Sequence, residues 1–162
     1  MVGNMCKGEL EIRILDRLKA TVAALPEKTA VLDLETNYPT APGPCFRITP
    51  TNPHSAPIRG SVSNGFGIYF TIGEATTGEI YLASWRSKSN KKEEDHFFDI
   101  CQAVFTTHFS EDLIYNHADN WVLRSRIILR VGERKIRIWG HQIFWWLYPM
   151  RKTKHISYEP YY

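Results

Sequence analysis

Chemistry needs acids, bases, nucleophiles or metal ligands within reach of one another, and this chain offers few such combinations. His96 and Asp99, in "EEDHFFDI", stand three apart, a spacing that puts both on one face of a helix where they can share a metal ion. No third ligand falls on that face, so the pair reads as the ordinary polar side of a helix. His108 continues the apolar series of the same segment and reads as a hydrogen-bonded core histidine rather than a free base. Cys101, in that series too, reads as packed and inert, with nothing beside it that favours a thiolate. His117 and Asp119, in "NHADN", occupy a loop of the kind that carries active-site residues. No nucleophile or oxyanion device accompanies them, and loop polarity is the plainer explanation. A nucleophile elbow, a phosphate-binding loop, a zinc-protease helix and a dinucleotide fingerprint are all absent from the sequence. The expectation is a non-enzyme with no catalytic residue, no metal and no cofactor.

The strongest pattern is cationic. In "WVLRSRIILRVGERKIRIWG", Leu123, Ile127, Leu129 and Val131 share one strand parity, and Arg124, Arg126 and Arg130 share the other. After a turn at Gly132-Glu133, Lys135, Arg137 and Trp139 alternate with Ile136 and Ile138. This spells a hairpin with one dry face and one basic face. The formal net charge of +3 is unevenly placed: residues 1–120 carry 11 Lys/Arg and 15 Asp/Glu, residues 121–162 carry 9 and 2. A solvated outer sheet face accounts for part of this. Yet Glu133 is the only acid between Asp119 and Glu159, so like charges face each other across the hairpin, and an acidic partner would offset that repulsion. Arginine alternating with tryptophan also suits phosphate contacts combined with base stacking. No RNP, KH or helix-turn-helix pattern is found and the first 120 residues are acidic, which places nucleic acid (RNA or single-stranded DNA) second.

The elements that must position this face are legible in part. At 162 residues the chain suits one globular domain with a core that needs no disulfide or metal. Leu10, Ile14, Leu18, Val22 and Leu25 form the stripe of an amphipathic helix that Pro26 ends. "TAVLDLET" fits a short strand or a further helical turn. Residues 37–57 hold six of the nine prolines and read as a long loop, with "CFRIT" a candidate edge strand. "GFGIYFTIG", with Phe66, Ile68, Phe70 and Ile72 on one side, and "EIYLAS" make a meander. A second helix starts at Asn90, with Glu93 at the capping-box position and Glu94 and Asp95 at the positive dipole end. Phe97, Ile100, Cys101, Val104, Phe105 and His108 carry it to about Phe109. The predicted fold is α+β: an antiparallel sheet of about five to seven strands with two amphipathic helices on one face. Residues 151–162 read as a basic and aromatic tail. The N-terminus shows no apolar signal-peptide stretch, and Cys6, Cys45 and Cys101 form neither a disulfide framework nor a zinc pattern, so a cytoplasmic protein is expected.

This order resembles the small cytoplasmic immunity proteins encoded beside bacterial polymorphic and contact-dependent toxins. An N-terminal amphipathic helix precedes "GFGIYFTIGEATTGEIYL", the helix "DHFFDICQAVFTTHF", its exit "SEDLIYN" and the strands "WVLRSRIILRVGERKIRI". The likeness lies in element order and in a Gly-Glu turn before a Glu-Ile strand, and it carries over no functional residue. It implies a non-enzymatic binder that blocks one toxin, and the basic quarter then implies an acidic toxin face, which weighs against a nuclease partner.

One stretch remains. "IWGHQIFWWLYPM" at 138–150 is too short for a membrane span, which needs about 20 apolar residues. As a strand it puts Ile143, Trp145 and Leu147 on one side and Phe144, Trp146 and Tyr148 on the other; neither side is polar, as an interfacial anchor requires. One triplet is expected in the core and the other, with Trp146 and Tyr148, beside the basic hairpin. The expected partner-binding residues are therefore Arg124, Arg126, Arg130, Lys135, Arg137, Trp139, Trp146 and Tyr148.

Overall fold

Leu10, Ile14 and Leu18 recur every fourth residue, and they are the buried residues of helix α1 (Glu9–Ala23). The structure, a computed structural model, describes residues 9–35, 43–63, 67–81, 90–116, 121–140 and 151–162. After α1 come strands β1 (Ala30–Glu35), β2 (Cys45–Pro50), β3 (Ile58–Ser63), β4 (Gly67–Ile72) and β5 (Thr76–Tyr81). Helix α2 (Asn90–Thr106) precedes strands β6 (Phe109–Asn116), β7 (Val122–Val131), β8 (Arg134–Gly140) and β9 (Arg151–Tyr158). The fold is α+β and its strand pairings are antiparallel. The nine described strands divide into two sheets, a meander in the order β1-β2-β3-β4-β5 and a second sheet in the order β8-β7-β6-β9.

Both helices pack on the dry side of these sheets, α1 against β1 and β3, α2 against β5 and β7. Across the meander one row reads Phe46, Gly60, Phe70, Gly78, so each phenylalanine faces glycine on the neighbouring strand. A Cβ on Gly60 would stand 2.7 Å from the Phe46 ring and one on Gly78 2.4 Å from the Phe70 ring. The rings lie over those gaps and meet Phe97 of α2, with centroids 5.9 and 5.4 Å away. Arg13 and Arg17 of α1 grip the buried Glu94 of α2 at 2.8 and 3.1 Å, and the Arg17 guanidinium lies 4.0 Å above the Phe98 ring. Glu94 therefore clamps the helices together rather than only serving the α2 dipole.

One open reading is settled and three sequence expectations change here. "TAVLDLET" resolves as strand β1. Within 37–57, "CFRIT" is an interior strand and not an edge, because β2 lies between β1 and β3 with Phe46 and Ile48 buried. Pro44 precedes this strand and Pro50 closes it, so the prolines bracket the ladder without breaking it. α2 stops at Thr106, short of the expected Phe109, and its exit "SEDLIYN" is strand β6; His108, outside the helix, is exposed rather than core. The segment read as a tail contains β9, which pairs with β6 along its whole length. The inward parities of β4 and β7 agree with the expectation: Ile68, Phe70, Ile72, Leu123, Ile127 and Leu129 are all buried.

Candidate functional site

The candidate site is the outward face of the sheet formed by β6 to β9. Directly opposed residues of an antiparallel pair point to the same side, so register decides who shares this face. Glu111 pairs with Ile127, Leu113 with Ser125, and Ile127 with Ile138; all of these are buried and face the core. The alternate residues face out. They are Arg124, Arg126, Ile128 and Arg130 from β7, and Lys135, Arg137 and Trp139 from β8. Strand β6 adds Ser110, Asp112, Ile114 and Asn116, and β9 adds Arg151, Thr153, His155 and Ser157. The six expected residues of the hairpin are thus brought together. Arg130, Lys135 and Arg137 are exposed, and Arg124 and Arg126 are half-buried. Trp146 and Tyr148 lie outside the described residues, as do His117 and Asp119.

Sequence reasoning missed Asp112, Arg151 and His155. Asp112 is the one carboxylate in the described part of this face, and it sits opposite Arg126 on one side and His155 on the other. Arg126 donates to Asp112 Oδ2 through Nε at 3.1 Å and through a second, shorter bond from Nη2. His155 Nδ1 lies 2.7 Å from Asp112 Oδ1. These two contacts, the Arg126 bond first and the His155 bond second, hold the Asp112 carboxyl below its ordinary range. Trp139 stands opposite Arg126, and the guanidinium carbons of Arg124 and Arg126 lie 4.5 and 5.6 Å from its ring centre. The Trp139 ring, 37% exposed, is therefore already engaged by cations at the centre of the face.

The charges fall into two halves. Asp112 compensates Arg126 of the hairpin and His155 of β9. Toward the hairpin turn the balance changes: Arg130 and Lys135 oppose each other directly, and neither they nor Arg137 make an ion pair among the described residues. Gly132, with φ +58°, supplies the left-handed turn that lets β7 and β8 form this tight hairpin.

A buried carboxylate sets the position of the face. Glu111, fully buried on the inner side of β6, accepts five hydrogen bonds. Oε1 takes the amides of Ala75 and Thr76 and the Thr76 hydroxyl at 3.0, 2.7 and 2.7 Å. Oε2 takes the Glu74 amide and the Tyr158 hydroxyl, both at 2.8 Å. One side chain therefore ties the β4–β5 turn of the meander to β6 and β9 of the second sheet. Burial first, then the charge and hydrogen bond of Glu111, push the Tyr158 phenol above its usual range. Gly73 opens that turn at φ +69°, and a Cβ there would sit 2.5 Å from Glu111 Oε2. Outside this latch, Lys154 bonds Glu74 at 2.5 Å and Tyr115 donates to Glu74 at 2.7 Å. The Lys154 bond leads in holding the Glu74 carboxyl below its ordinary range.

Elsewhere the chemistry is sparse. His96 and Asp99 are exposed on α2, and no group of three or more His, Cys, Asp or Glu among the described residues is arranged to hold a metal ion. Cys101 is fully buried, and burial pushes its thiol well above the usual range. No described helix is long and apolar enough to cross a membrane. Comparison with protein-family models, with curated proteins and with solved structures gives no match.

Proposed function

We propose that the chain is a non-enzymatic protein-binding module that holds an acidic surface of a partner protein against the outward face of β6 to β9. The observation that carries this reading is the charge left over on that face: Arg130 and Lys135 oppose each other across the hairpin, and neither they nor Arg137 make an ion pair among the described residues. Like charges at this density repel, and a carboxylate-rich partner turns the repulsion into attraction and speeds encounter. Arginine and tryptophan at the centre of the patch are also the residues that most often dominate interface energies. The order of elements, similar to that of the toxin-neutralising immunity proteins, supports a bacterial toxin as the partner.

The second reading is single-stranded nucleic acid. The cations favour it, but the engagement of Trp139 by Arg124 and Arg126 speaks against it, since a stacking platform needs a bare ring face.

The test is co-expression with the protein encoded by the adjacent reading frame. The chain should restore growth when that protein is toxic and should purify with it as a stable complex. A chain carrying Arg130→Glu and Arg137→Glu should do neither while still folding. Undiminished protection by the doubly reversed chain would remove this face from the function.

A further inference from the structure

We propose that the partner element seated on this face is an extended acidic segment, with carboxylates at alternate positions and a large apolar side chain two residues further on. The inference rests on the preceding reading of the face as a protein-binding surface and adds the pattern that the bound segment must carry. The cations form a strip two strands wide, along the β7–β8 hairpin, and those of its first two rows make no ion pair among the described residues. Its first row is Arg130 opposite Lys135, its second Ile128 opposite Arg137, and its third Arg126 opposite Trp139. Successive rows on one sheet face are two residues apart, about 7 Å, and neighbouring strands are about 4.8 Å apart. The strip is therefore long and narrow, which suits one extended segment better than a broad acidic surface.

The repeat of that segment follows from the same geometry. An extended chain presents its own alternate side chains at about 7 Å on one side. A carboxylate on the first row then meets Arg130 and Lys135, and the next carboxylate meets Arg137. The third row differs, because Arg126 already holds Asp112 and the exposed part of the row is the Trp139 ring. An apolar side chain fits against the part of the ring that Arg124 and Arg126 leave exposed, too little for a base to stack on, and a third carboxylate gains less. The half-buried Ile128, between the first and third rows, adds an apolar contact on the same line.

The experiment is a titration of the full chain, followed by nuclear magnetic resonance, with three probes at low ionic strength. The first is a peptide in which two Glu and one Leu alternate with Ser, made in both chain directions. The second is an isomer of the same composition with the two Glu adjacent and the Leu at the far end. The third is an oligouridylate of similar length. One direction of the alternating peptide should bind about threefold or more tighter than the isomer, and should shift the Trp139 indole and the Arg130 and Arg137 side-chain signals. Arg137→Gln should abolish that preference, whereas Arg59→Gln, on the other sheet, should leave it unchanged. Equal binding of the two peptides at this face would overturn the alternating pattern and leave the acidic-partner reading standing. Binding of neither peptide would overturn both. Tighter binding of the oligouridylate than of either peptide would replace both with nucleic-acid binding.

Discussion

Replacing Glu111 by Ala removes the acceptor of five hydrogen bonds and leaves their donors facing one another around a cavity. Two of those donors, the Thr76 hydroxyl and amide, belong to a residue with no exposure, and the Tyr158 hydroxyl belongs to another buried residue. The Glu74 and Ala75 amides lie nearer solvent and can turn to water. An unsatisfied buried donor costs about 1–3 kcal/mol, and part of that returns if water enters the vacated space. Taking the three buried donors at about 1–1.5 kcal/mol each, Glu111→Ala should cost about 3–5 kcal/mol of unfolding free energy. Glu111→Gln keeps the shape but turns an amide N–H₂ toward donors, so it should cost nearly as much, about 2–4 kcal/mol. Leu113→Ala, a buried apolar truncation on the same strand, calibrates the scale at about 2–5 kcal/mol. Urea unfolding of the four proteins gives these values directly. A loss below about 1 kcal/mol for both Glu111 variants would mean that the five bonds do not hold the sheets together.

Lys135→Ser removes one member of the like-charged pair with Arg130 and should raise stability by about 0.2–0.5 kcal/mol at low salt. That gain should fade as salt screens the pair, which thermal melts across ionic strength will show. Asp112 and Glu74 have folded-state pKa values held below the ordinary 3.8 and 4.5, so both contribute stability above those values and lose it as pH falls through the lower folded values. Carbon-detected titration should find both midpoints below the ordinary values, and Arg126→Gln should move the Asp112 midpoint upward. Cys101 should resist alkylation in the folded protein and react once urea unfolds it, because the thiol is buried and its thiolate disfavoured.

The basic face was legible because a one-sided antiparallel sheet writes its two faces into alternate residues. Leu123, Ile127 and Leu129 against Arg124, Arg126 and Arg130 needed no partner strand to be sorted. What completes the face was not legible, since Asp112 precedes Arg126 by 14 residues and reaches it only through strand pairing. Strand β9 was hidden because its first five residues are all exposed and mostly cationic, a composition that suits an edge strand and a solvated tail equally. Glu111 broke the parity rule: a carboxylate between the inward Phe109 and Leu113 reads as exposed polarity unless its donors are known. Four of those donors come from a turn more than thirty residues earlier and the fifth from Tyr158 of β9, a non-local fact that no local pattern records. His108 failed for the opposite reason. The helical stripe extrapolates through it, but the helix ends at Thr106 and the chain turns outward before β6.

The most direct test of the central claim is calorimetric titration of the adjacent reading frame's product with the natural chain and with the Arg130→Glu, Arg137→Glu variant, alongside their melting temperatures. If the outward face holds an acidic partner, the variant should bind at least about tenfold more weakly, and its melting temperature should be unchanged or slightly higher. Equal affinity for the two proteins, or a loss of affinity that tracks a loss of folding, would contradict the assignment of this face as the binding surface.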